Sequence, residues 1–154
     1  MNYIIAAIGA NLTIGLVTGV TAATNGAYTM ITNISKSTST GVKEVKQIIE
    51  ESDLEVKIKT IQLIINDINV NENTSLALQH CIKSIKDVIN DISEELEKIN
   101  NRIKYNDNLW VGSAIRAYGF HGASKRLNGH IKKLESRYKD LITLITLENS
   151  REKR

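Results

Sequence analysis

Three histidines, one cysteine and a short acidic run are the side chains with which this chain could make or break bonds, and their spacing argues against that use. His80, His121 and His130 share no metal-ligand spacing. Cys81 follows His80 directly, and neighbouring side chains on a helix point about 100° apart, so the two do not converge. Cys81 flanks an apolar stripe at Ile82, which reads as a buried structural thiol. As the single cysteine it forms no internal disulfide. No Glu-x-x-His pair occurs, which disfavours a di-iron site. Glu94, Glu95 and Glu97 fall on one helical segment and read as a solvated face. The expectation is a protein that is not an enzyme, with no cofactor, no metal and no small-molecule substrate.

Binding chemistry is better represented. Gly119 to Arg126 reads as a Gly-broken loop that ends in a cap and two basic residues; helix N–H groups with Lys125 and Arg126 could hold a phosphate there. The segment lacks the residue order of a nucleotide-binding P-loop, and a simple hinge between helices is the plainer alternative. Arg116, Lys125, Arg126, Lys132, Lys133, Arg137 and Lys139 follow one another with Glu135 as the one acid among them, just after Trp110, Tyr118 and Phe120. Aromatics beside a basic amphipathic helix suit a membrane interface, with the cations on anionic lipid and the rings at headgroup level. Nucleic acid would draw on the same charges and is the less favoured partner. An ordinary basic helix face stays open as an alternative. Residues 36–104 hold 10 basic and 12 acidic side chains, whereas residues 105–154 hold 10 and 5, so the C-terminal third is where an anionic partner would meet the protein.

The elements that must position these residues are long helices. The chain has no Pro, and its few breaks are clusters of Gly, Ser, Thr and Asn. The first 35 residues carry no charged side chain at all. Residues 4–22 form an uncharged window that as a helix spans about 29 Å, close to one hydrocarbon core. Gly15, Gly19, Ala23 and Ala27 make one small-residue stripe that lets another helix approach closely, in a bilayer or in a protein interior. After the break at Ser35–Gly41, a helix is expected from about Thr40 to Asn69, with a capping box at Ser52-x-x-Glu55 marking a kink or a division into two. Asn73 or Thr74 would cap the next helix, whose Leu78, Ile82, Ile85, Ile89, Ile92, Leu96, Ile99 and Ile103 keep an unbroken 4-3 spacing. Leu127, Ile131, Leu134, Tyr138, Leu141 and Ile145 repeat the pattern to the end. The expected fold is all-α: an antiparallel four-helix bundle with an apolar, charge-free N-terminal helix. It divides into residues 1–35, an amphipathic bundle at 36–148 and a charged tail at 149–154.

Taken together, this layout resembles the helical-bundle domains of the HeLo group in fungal cell-death proteins and the N-terminal bundle of mixed-lineage kinase domain-like proteins. The corresponding pieces are Ile4–Ile34, Leu78–Ile103, Leu109–Phe120 and Leu127–Leu147. The likeness covers nearly the whole chain as a pattern without a signature motif. It implies a bundle that permeabilises membranes, in which basic residues engage anionic lipid and the apolar first helix is released into the bilayer, as a homo-oligomer when active. It implies a cytoplasmic protein recruited to membrane. The chain departs from the family in lacking an attached sensor, kinase or amyloid-forming segment, which points to a stand-alone relative, a viral one included. Two other functions fit the same residues: a structural or viral assembly protein that buries its own apolar helix, and a single-pass integral membrane protein with a soluble bundle.

Overall fold

A computed structural model describes the backbone of residues 2–108 and 120–154, and the side chains of residues 15–108, Thr40 apart, and 120–154. Among these residues the chain is all-helical: α1 (Asn2–Lys36), a 3-10 turn (Thr40–Val42), α2 (Lys43–Glu51), α3 (Leu54–Asp67), α4 (Leu76–Asp107) and α5 (His121–Glu152). No helix of the described residues is long and apolar enough to cross a membrane. The uncharged window at residues 4–22 lies for the most part among side chains outside that description.

The expected helix from Thr40 to Asn69 is two helices. Asp53 turns the chain between them with a left-handed φ of 51°, a conformation that Asp tolerates better than most L-residues. The capping box expected at Ser52 and Glu55 does not form. Ser52 Oγ donates backwards to the Ile49 carbonyl at 3.3 Å, and Asp53 occupies the N-cap with no side-chain cap bond. The cap of α4 is likewise displaced by one residue: Ser75 Oγ accepts from the Leu78 N–H at 3.2 Å. Thr74 Oγ1 instead accepts from the Asn71 N–H at 2.9 Å, and Asn71 Oδ1 accepts from the Asn73 N–H at 2.8 Å. These competing local bonds are what Asn and Thr offer in turns.

Side-chain contacts fix the helix directions. Ser75 at the start of α4 donates its N–H to Glu148 near the end of α5, while Glu95 further along α4 meets Arg126 near the start of α5, so these two run antiparallel. Glu44 of α2 faces His121, and Lys57 of α3 faces Glu135, so α2 and α3 run with α5. A groove between α1 and α3 is lined by Thr24 and Tyr28 from one side and Glu55 and Lys59 from the other, with Tyr28 beside Glu55. A methyl group added at Gly19 would lie 2.8 Å from Lys86 Cδ, and one at Gly26 would lie 3.3 Å from Ser93 Oγ. Both pairs advance together along the two helices, so α1 and α4 are parallel.

All eight heptad residues of α4, from Leu78 to Ile103, are buried. This helix is the wall shared by α1 and α5, each of which packs on it more extensively than on any other element. Burying one Ile or Leu side chain stabilises the fold by about 1.5–3 kcal/mol. The described part of α1 contributes the stripe Val20, Ala23, Ala27, Ile31 and Ile34, whose two alanines bury less apolar area than Ile or Leu would.

Candidate functional site: the basic face of α5

The apolar stripe of α5 seats Leu127, Ile131, Leu134 and Leu141 in the core, with Tyr138 and Ile145 partly buried beside them. That orientation turns Lys125, Lys132 and Lys133 to solvent. None of the three has an ion-pair partner among the described residues. The expected headgroup contacts therefore include three uncompensated ammonium groups on one helix.

Arg126 and Arg137 differ from them. Arg126 places Nε and Nη2 at 3.0 and 2.9 Å from the same Oε1 of Glu95. The Glu95 side chain is only 4% exposed while that of Arg126 is 60% exposed, so the pair joins a buried carboxylate to a half-solvated cation. The hydrogen bond to Glu95, and then its charge, raise the Arg126 guanidinium above its ordinary value. Its charge is committed inside the fold. Water screens the guanidinium and weakens the pair, yet withdrawing it would leave the Glu95 carboxylate with no cation among Ile92, Leu96 and Ile99. Arg137 Nη1 sits 3.4 Å from Asp140 Oδ2, an exposed pair worth about 0–1 kcal/mol. Arg116 lies outside the described residues.

Phe120, expected at a membrane interface, is turned inward in this structure. It is 3% exposed at the N-cap of α5, with the Arg102 guanidinium 5.0 Å from its ring centroid. Trp110 and Tyr118 lie outside the described residues. The loop or hinge expected up to Arg126 is, from His121 onward, the opening of α5 itself. Ser124 there is 1% exposed and lies inside α5, and its hydroxyl has no partner among the described residues.

Two of the three histidines lie near an acid of another helix. His121 Nδ1 is 3.3 Å from Glu44 Oε1, and His130 Nδ1 is 3.9 Å from Asp91 Oδ2; each contact is an ion pair only when the ring is protonated. Cys81 is 6% exposed, with Sγ 3.6 Å from the Arg137 carbonyl. Burial, followed by the nearby Asp140 charge, pushes its thiol up to about 11. Such a thiol is a poor nucleophile. No group of three or more His, Cys, Asp or Glu side chains among the described residues could hold a metal ion.

Glu95 is the residue that sequence reasoning missed. Glu94 and Glu97 are solvated as expected, but Glu95 is buried. The signal was a second seven-residue register: Cys81, Val88 and Glu95 recur at one heptad position and are all buried. In the small-residue stripe, Gly19 lies against Lys86, Ala23 and Ala27 are in the core, and Gly15 has open space around it. The stripe thus serves an intramolecular contact from Gly19 onward. The chain matches no family model, no curated protein and no solved structure.

Proposed function

We propose that this chain is a non-enzymatic, membrane-active helical bundle of the HeLo-like kind. In this reading α1, α2 with α3, α4 and α5 are the four columns of a helical bundle in which each column runs antiparallel to the next in sequence, while α1 and α4 pack side by side in parallel. The observation that carries it is the exposed, unpaired set Lys125, Lys132 and Lys133 on α5. Near an anionic surface each such cation contributes about 1 kcal/mol. The character of α1 supports a second step. It has no charged residue before Lys36, its described stripe is lean, and Thr24 sits in its packed face with a buried, unpartnered hydroxyl. Its interior glycines each cost about 1 kcal/mol relative to Ala. Such a helix is held by its partners rather than by its own propensity and can exchange one apolar surrounding for another.

α1 and α5 lie on different sides of α4, so the surface that recruits lipid is not the helix that enters it. Recruitment and insertion are then separable steps, and active oligomers would form after the second. Full-length protein releasing dye from anionic vesicles, and not from neutral ones, is the expected result. Retention of the dye at saturating bound protein would sink the insertion step, and failure to bind would sink the whole reading. A structural or assembly role is the second reading, favoured by Ala27 and Ile34, which are already fully buried. A stable oligomer indifferent to lipid would establish it.

A further inference from the structure

We propose that Arg126 and Glu95 form a clasp holding α5 on α4, released when the phosphates of an anionic bilayer compete for Arg126. The inference rests on the lipid-facing reading of α5 and adds its regulation. Arg126 is the outward-facing cation of α5 whose partner is buried: its side chain is 60% exposed and that of Glu95 is 4% exposed. A competing anion therefore has access to the guanidinium and none to the carboxylate.

Two further polar atoms on the same turns of α5, Ser124 Oγ and His130 Nδ1, are buried without a hydrogen-bond partner among the described residues. Both gain one from water when these turns open, whereas the buried side chains of Leu134 and Leu141 further along gain nothing. Opening is thus expected to begin at the first turns of α5 and to stop before Leu134.

One phosphate does not suffice. Taking Arg126 leaves Glu95 a charge without a cation, and a single charge-assisted contact does not repay that loss. A bilayer differs because Lys125, Lys132 and Lys133 engage it simultaneously with Arg126. The clasp then opens at a surface and stays shut in a solution of the same anion.

Hydrogen exchange of the amides of residues 121–131 in the full chain tests this. On phosphatidylserine vesicles these amides should exchange about tenfold faster or more, and in inorganic phosphate they should not change. Glu95→Gln removes the charge that would be stranded, so it should bind the same vesicles about tenfold more tightly than the parent. Ile65→Val, a core change on α3 that lowers thermal stability without touching the clasp, should leave vesicle affinity unchanged. Equal affinity of Glu95→Gln and parent, or opening by inorganic phosphate alone, overturns the clasp. Vesicle binding with amides 121–131 still protected removes the clasp and leaves the lipid reading standing. Absence of any binding to anionic vesicles removes both.

Discussion

Gly26 and Ser93 face each other across the parallel seam of α1 and α4, so closely that a methyl on the glycine would stand 3.3 Å from the serine oxygen. This spacing is close to what a disulfide requires. Gly26→Cys combined with Ser93→Cys should therefore lock α1 onto its wall when oxidised. The oxidised form should bind anionic vesicles like the parent and release no dye, and reduction should restore release. Leakage from the oxidised form would show that α1 need not leave.

Neutralising Lys125, Lys132 and Lys133 to Gln should weaken binding to anionic vesicles by about two orders of magnitude, given about 1 kcal/mol for each cation at the surface. The loss should shrink as salt rises. Arg137→Gln should have a smaller effect, because Asp140 already offsets that charge. Vesicle co-sedimentation at two ionic strengths measures both.

Cys81, with its thiol pushed from 9.0 to about 11, should alkylate about 100-fold more slowly at pH 8 than a free thiol, through its smaller thiolate fraction alone. The folded state binds this proton more tightly than the unfolded chain does. Its contribution to stability is therefore complete below about pH 9 and is lost as pH rises through about 11. Denaturant midpoints at pH 8 and pH 10.5, compared with those of Cys81→Ala, isolate the effect.

Asp53 holds its left-handed φ at the junction of α2 and α3. Asp53→Val should lower stability by about 1–2 kcal/mol, since a β-branched residue pays more for that conformation, while Asp53→Gly should not lower it. Urea titration of the two variants against the parent decides the point.

The helical stripes were legible in the residues because burial of Ile and Leu at heptad spacing is a local statement; every residue from Leu78 to Ile103 in that series is buried. Which helices pair, and in which direction, was not legible. Gly19 announces a close approach without saying that Lys86 is the neighbour, and the stripe served equally for a bilayer contact. Caps slipped by a residue because Ser52, Thr74 and Ser75 all offer hydroxyls, and the competition is decided by turn geometry. At the candidate site, Lys125, Lys132 and Lys133 are exposed as a basic face requires, whereas the burial of Phe120 and the pairing of Arg126 were not legible, for one reason. An aromatic or a cation looks free until the residue it covers is known, and Arg102 and Glu95 lie far from them in sequence.

The position of α4 between α1 and α5 carries a further consequence. If α1 departs, it uncovers a vacant trough on α4 whose floor near Lys86 and Ser93 is shaped to receive glycines at matching intervals. Another copy that has lost its own first helix presents the same trough, and each released helix fits any of them. A lone molecule in that condition is sticky, and a crowd of them can trade helices. Local protein density, rather than an added partner, would then set how far the process runs.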